Sequence, residues 1–259
     1  MKVLILCGGK GERLREETEF KPKPLIEIGG LPILWHIMKI YSHYGHKEFI
    51  LLLGYKGRMI KEFFLNFELM ANDFTLDLRD KNQRLTFHEK SCLEDWKITF
   101  VDTGDATMTG GRIARARHLV GDEDFMLTYG DGLANIDLDS LAATHRKQGK
   151  TLTLTGVRPM SPFGIIEVDQ GIARSFREKP KLEGTVNGGF MVCKPALFDH
   201  LSPSEDCVLE EEPMKDLARK SGIAIYQHDG FWAAMDTYKQ VQTLNQIWDR
   251  PSPPWKIWS

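Results

Sequence analysis

The chain opens on an unbroken apolar run, Val3 to Cys7, in which no polar residue alternates. A strand buried on both faces of a parallel sheet has this pattern, so the run predicts a strand inside such a sheet. Behind it, Pro32 can occupy the first turn of a helix. Ile33, Leu34, Ile37, Met38, Ile40 and Tyr41 follow at helical spacing until Gly45 offers a stop. A second apolar run, Phe49 to Leu53, completes a β-α-β unit. The alternation continues with a helix from about Arg58 to Met70, a strand around Ile98 to Asp102, a helix from about Arg112 to Val120 and a strand from Phe125 to Tyr129. The first half therefore predicts a doubly wound α/β fold with a mostly parallel, Rossmann-like sheet.

After residue 150 the pattern changes. Thr151 to Val157, Gly164 to Val168, Ala173 to Phe176 and Gly188 to Cys193 are short runs separated by turn residues, and predict antiparallel strands added to the same sheet. Helices are expected near Leu209 to Lys220 and Tyr238 to Trp248. Prolines bar the tail Pro251-Ser252-Pro253-Pro254-Trp255 from a helix, so it is expected to be extended. Its Trp255 and Trp258 should pack on the body of the subunit or on a neighbour. At 259 residues the chain lies near the upper end of what one hydrophobic core organises. One domain is expected over 1–259, with halves at 1–150 and 151–240 and a terminal segment at 241–259.

Composition narrows the function classes. An apolar fraction of 42% and a charged fraction of 27% belong to an ordinary folded protein. With 34 basic against 36 acidic side chains, there is no broad basic surface for nucleic acid or an anionic membrane, and neither partner is expected. The cysteines, Cys7, Cys92, Cys193 and Cys207, form no C-x-x-C pair and read as neither a disulfide framework nor a zinc site, which suits a reducing compartment. The short N-terminal apolar run is too brief for a signal-peptide core, and no stretch approaches a membrane span, so a cytoplasmic location is expected.

Candidate chemistry lies directly after the first strand, where open α/β sheets place ligands. In Gly8-Gly9-Lys10-Gly11-Glu12-Arg13-Leu14 the glycines let backbone N–H groups approach a phosphate, and Arg13 adds a cationic fork. Leu14 stands where the last glycine of G-x-G-x-x-G would be, and the order of a P-loop is missing, so both commoner nucleotide signatures are disfavoured. A purely structural turn is the competing reading. Just downstream, Lys21-Pro22-Lys23-Pro24 holds two lysines on a proline-stiffened segment, although a loop with two solvated lysines has the same composition. Asp131, between Gly130 and Gly132 at the end of a strand, has the exposure a metal ligand needs, or it closes a turn on its own backbone. Asp236 is a second carboxylate candidate, or the cap of the helix near Tyr238.

The glycine loop followed by Lys21-Pro22-Lys23-Pro24 resembles the signature of the sugar-phosphate nucleotidyltransferases. Within that family the chain is most similar to those acting on CTP and glucose 1-phosphate. The resemblance runs the full length, through Pro32 to Met38, Val101 to Asp105, Met108 to Arg112, Thr128 to Gly132, Glu178 to Pro180, Asn187 to Phe190 and Met235 to Thr237. It implies nucleotide contacts from Leu6, Cys7, Gly8, Gly9, Lys10, Gly11, Glu12, Arg13, Lys23, Tyr129 and Gly130. It also implies a base-recognition loop at Thr103, Gly104, Thr109, Gly110 and Gly111, where a plain helix start at Thr109 is the alternative. Gly164, Glu178, Lys179, Asn187 and Gly188 would hold the sugar phosphate, Asp131 and Asp236 would bind Mg2+, and Arg13, Lys23 and Asp131 would carry the catalysis. A homo-oligomer is also implied.

Cys7 and Glu12 depart from the alanine and threonine common in the wider family, and Glu12 beside a triphosphate either faces solvent, the preferred reading, or touches the metal or a sugar. No histidine is given a site role, and hydrolase motifs are absent. A sugar 1-phosphate is already anionic at neutral pH, because its second pKa is about 6, so no general base is required. The implied chemistry is in-line attack of that phosphate on the α-phosphate, with pyrophosphate leaving. UTP, dTTP or another sugar 1-phosphate are the alternatives within the class, and a non-catalytic sugar-nucleotide sensor is the alternative outside it.

Overall fold

The computed structural model describes residues 1–79, 85–88, 94–161 and 163–258. Seven strands form one sheet in the order Ile223–His228, Leu152–Val157, Val186–Cys193, Phe125–Tyr129, Val3–Cys7, Glu48–Leu53 and Lys97–Asp102. Val186–Cys193 runs against both of its neighbours, and every other adjacent pair is parallel. Val3–Cys7 is buried throughout because helices cover both faces of the sheet. Val3, Ile5 and Cys7 enter one core with Ile33, Ile37 and Tyr41 of the helix Ile33–His43. Leu4 and Leu6 enter the other with Ile113, Leu197 and Leu217. An alternating strand would leave a polar row in one of these cores, which would be costly without partners.

Topology places the ligand crevice. From Val3–Cys7 the chain steps outward to Glu48–Leu53 and Lys97–Asp102, then returns to the other side of the first strand as Phe125–Tyr129. The strand order therefore reverses at Val3–Cys7, and the space beyond its carboxyl end is the switch point where such sheets bind ligands. Its parallel pairing also brings the ends at Leu53, Asp102 and Tyr129 to that edge.

Several elements differ from the sequence reading. The helix expected from Arg58 to Met70 is two, Gly57–Leu65 and Phe67–Ala71, broken at Asn66, whose side chain bonds the Glu62 carbonyl at 2.8 Å. The helix expected from Arg112 starts earlier, as Thr109–Arg115 followed by Arg117–Val120. Of the later runs, Ile165–Asp169 and Ile172–Arg177 form a separate hairpin and do not join the main sheet. The helix near Leu209 is shortened to Glu212–Arg219, with Pro213 in its first turn. The helix Leu138–Gln148, capped by Asp137, and the edge strand Ile223–His228 were not among the expected elements, although Leu138, Leu141, Ala142 and His145 of the helix are buried at helical spacing.

The tail packs on its own subunit. Trp255 is fully buried and stacks on Phe231 and Trp248, while Trp258 meets Trp35 edge to face. Cys7, Cys193 and Cys207 are free thiols, and Cys92 lies outside the described residues. Among the described residues no helix is long and apolar enough to cross a membrane.

Candidate active site

The glycine loop rests on a buried arginine. Arg112, 3% exposed, donates from Nη2 to the Gly8 carbonyl at 2.9 Å and the Asp105 carbonyl at 3.3 Å. Its Nη1 donates to the Leu53 carbonyl at 3.0 Å, Thr103 Oγ1 at 2.7 Å and the Gly104 carbonyl at 2.7 Å. One guanidinium thus ties together three strand ends. A Cβ on Gly8 would lie 2.2 Å from this guanidinium, so Gly8 is small because Arg112 passes beneath it. A Cβ on Gly9 would meet nothing within 4 Å, which leaves that side of the loop open toward the cleft. Gly11, at φ +65°, starts the 3-10 turn Glu12–Leu14. Lys10, Glu12 and Arg13 are exposed and line the cleft.

Two distant carboxylates meet at the mouth of this loop. Gly132–Ala134 pairs antiparallel with Trp232–Ala234, and Met235 N–H donates to the Asp131 carbonyl at 2.9 Å, which brings Asp236 beside Asp131. Asp236 does not cap the following helix. Thr237 does, in a capping box with Gln240, so the Asp236 carboxylate is left for the site. The lysine motif splits: Lys21 pairs with Glu27 at 3.0 Å, whereas Lys23 enters a 3-10 turn and places Nζ 2.6 Å from Asp131 and 2.8 Å from Asp236. Arg13 Nη2 lies 3.4 Å from Asp236. Burial pulls the Lys23 ammonium toward losing its proton, but the two carboxylates outweigh it and raise its pKa, so Lys23 stays charged at neutral pH.

This donor set fits a divalent metal ion that takes over the position the Lys23 ammonium holds between the two carboxylates. Two carboxylates that converge on one cation position match an ion that takes one or two carboxylates and completes its shell with water and phosphate oxygens. Among the described residues no group of three or more His, Cys, Asp or Glu side chains could hold a metal, so such an ion would depend on substrate oxygens.

Two cavities adjoin at these charges. The larger, 670 Å³, is lined by the glycine loop, Lys23, Arg112, Thr109, Gly130 and the segment Asp105 to Met108. The second, 340 Å³, is lined by Asn187, Gly188, Glu210 and Trp232 among others. Arg13, Tyr129, Asp131 and Asp236 line both.

Other expected residues lie elsewhere. Thr103 is buried and donates to the Leu53 carbonyl at 2.6 Å, and Gly104 supports Arg112, so both stand behind the cavity wall. Gly110 and Gly111 are buried in the helix Thr109–Arg115, where a Cβ would strike Cys207 and the Ser204 carbonyl. Their size is set by that packing. Gly164, Glu178 and Lys179 lie at the ends of the separate hairpin and line neither cavity. A Cβ on Gly164 would reach 3.0 Å from Glu178 Oε2, so those two are neighbours. Sequence reasoning assigned no role to Arg112, Glu210 or Asp105 to Met108. Arg112 and Asp105 sit inside quoted motifs, but Glu210 lies in a run of acidic residues that reads as a solvated face.

The family model for nucleotidyl transferase matches residues 2–233. A "Probable glucose-1-phosphate cytidylyltransferase" of Bacillus subtilis (strain 168) is 49% identical over 258 residues, covering 100% of both chains. A glucose-1-phosphate cytidylyltransferase of Salmonella typhi is 45% identical over 260 residues, also covering 100% of both. Among solved structures, HddC from Yersinia pseudotuberculosis complexed with GMP-PN aligns with a TM-score of 0.68 at 20% identity, covering 96% of this chain and 99% of that one. UDP-glucose pyrophosphorylase complexed with UDP-glucose gives 0.65 at 16%, covering 95% and 97%. Taken with the switch-point cleft and its paired cavities, these matches show that the chain belongs to the nucleotidyl transferase family, alongside the glucose-1-phosphate cytidylyltransferases.

Proposed function

We propose that this protein transfers the cytidylyl group of CTP to α-D-glucose 1-phosphate, giving CDP-glucose and pyrophosphate. The observation that carries the reaction class is the junction itself: two cavities share Arg13, Tyr129, Asp131 and Asp236, and Lys23 sits between the two carboxylates there. A site joining two anionic substrates needs its charges where the cavities meet. CTP and glucose 1-phosphate are supported by full-length relatives that carry those substrates in their names.

In this reading the 670 Å³ cavity takes the nucleotide and the adjoining one the sugar phosphate. The open face of Gly9 and the loop N–H groups cradle the phosphates. Arg13 and Lys23 neutralise charge on the α-phosphate and the departing pyrophosphate, which is positioning plus electrostatic stabilisation. Asn187 and Gly188 contact the sugar, and Gly164, Glu178 and Lys179, which line neither cavity in this structure, would add contacts only from the neighbouring hairpin. Thr103, Gly104, Gly110 and Gly111 shape the base pocket from behind, while Asp105 to Met108 and Thr109 face it. Asp131 and Asp236 would hold magnesium, which supplies charge neutralisation to the phosphates when bound. The protein acts in the cytoplasm as one domain and as a homo-oligomer, for which the exposed Phe163, Ile166, Val168 and Phe176 of the hairpin region supply apolar contact surface.

Pyrophosphate release measured for each nucleoside triphosphate against a panel of sugar 1-phosphates tests the reaction. CTP with glucose 1-phosphate is the expected best pair, and Asp131→Asn and Asp236→Asn should each abolish most turnover. Nucleotide binding without turnover on any sugar phosphate would identify a sensor instead. Light scattering decides the assembly.

A further inference from the structure

The acidic segment before the helix Glu212–Arg219 delivers one carboxylate into the wall between the two cavities. The chain from Ser204 to Glu210 lies across the start of the helix Thr109–Arg115, with Met108 N–H on the Glu205 carbonyl at 2.8 Å and Gly111 N–H on the Cys207 carbonyl at 3.0 Å. This seat exists because Gly110 and Gly111 carry no side chain, since a Cβ on Gly111 would lie 2.3 Å from the Ser204 carbonyl. Leu209 is fully buried and its N–H donates to Thr109 Oγ1 at 2.9 Å, which anchors the residue next to it.

Glu210 then has two partners on opposite sides. The Thr109 hydroxyl donates to Oε2 at 2.6 Å, and the Tyr129 hydroxyl donates to Oε1 at 2.5 Å. Tyr129 in turn accepts from Asn187 Nδ2 at 3.1 Å, and Asn187 Oδ1 accepts from Gly189 N–H at 2.9 Å. An ionised carboxylate only accepts, so it dictates the direction of every bond in this chain. Tyr129 must point its proton at Glu210, which leaves a lone pair for Asn187, and the Asn187 amide is fixed with its carbonyl on the backbone. Thr109 lines the larger cavity, and Asn187 lines the smaller.

We infer that Glu210 is a positioning residue that braces both subsites at once, holding Thr109 for the nucleotide and, through Tyr129, the Asn187 amide for the sugar phosphate. The role rests on the two-substrate reading above, and it assigns the glycine pair Gly110-Gly111 to seating this brace.

Dissociation constants for CTP and for glucose 1-phosphate, melting temperatures, and KM and kcat are measured for wild type, Thr109→Val, Tyr129→Phe, Glu210→Ala and Glu210→Gln. Losing a hydrogen bond to a charged group at a binding wall should weaken the affected ligand by ~10–100-fold. Thr109→Val should weaken CTP alone, Tyr129→Phe should weaken glucose 1-phosphate more than CTP because Tyr129 lines both cavities, and Glu210→Ala should weaken both. Glu210→Gln should recover much of the sugar-phosphate affinity, because its amide oxygen still accepts from Tyr129. The brace is overturned if Glu210→Ala affects one ligand or neither, or if both losses scale with melting temperature and Glu210→Gln recovers nothing. A wild type that neither binds sugar 1-phosphate nor releases pyrophosphate refutes the reaction and this role together. Normal wild-type turnover with unaffected variants refutes the role alone.

Discussion

Replacing Arg112 by Met keeps most of the side-chain volume and removes five hydrogen bonds from beneath the glycine loop. Their loss is uneven. The Leu53 carbonyl keeps Thr103 N–H and the Thr103 hydroxyl, and the Gly8 carbonyl keeps Tyr55 N–H at 3.1 Å. Asp105 is exposed, so water can replace the guanidinium there. That leaves the buried Thr103 oxygen and the half-buried Gly104 carbonyl as acceptors without that donor, at about 1–3 kcal/mol each. Relief from desolvating a buried cation offsets part of this, so the expected loss is about 2–4 kcal/mol. Urea unfolding at neutral pH, read as the midpoint shift at a shared m-value, measures it. In a Thr103→Val background the same substitution should cost less, because one of the stranded acceptors is gone. A loss below about 1 kcal/mol at unchanged m would refute this account of the loop.

Three further outcomes are expected. Lys23→Met strands Asp131 and Asp236 without their shared cation and should cost about 1–3 kcal/mol, less than for a fully buried pair because both carboxylates remain partly exposed. Turnover should fall ~100-fold or more, and magnesium should raise the melting temperature of the variant more than that of wild type. Gly8→Ala should destabilise by about 1–3 kcal/mol through its clash with Arg112, whereas Gly9→Ala should melt like wild type and weaken CTP binding, as calorimetry and titration can show. His36, buried against the Ile28 carbonyl at 2.8 Å, has its pKa lowered by burial from 6.5 to about 4. The unfolded chain therefore takes up a proton before the folded one, so stability is intact above pH 6.5 and falls as pH drops toward 4. That contribution is of order 3 kcal/mol, and a His36→Phe variant should show a correspondingly flatter acid limb in its melting profile.

What could be read from the chain alone followed from local periodicity and short motifs. The unbroken run Val3 to Cys7 announced a doubly covered strand, and the glycine loop with Lys23 announced phosphate chemistry, because each signal lies within a few consecutive residues. Tertiary structure decided matters that depend on distant partners. Asp131 and Asp236 are joined by a ribbon pairing Gly132–Ala134 with Trp232–Ala234, a register that no local pattern encodes. The smallness of Gly8, Gly110 and Gly111 looked like room for a ligand, yet it serves Arg112 and the segment leading to Glu210, since the absence of a side chain does not say what fills the space. Glu210 lies in the acidic run Glu210-Glu211-Glu212, which carries no local signal of a site. Only the meeting of its carboxylate with Thr109 and Tyr129, 101 and 81 residues away, makes it part of the site.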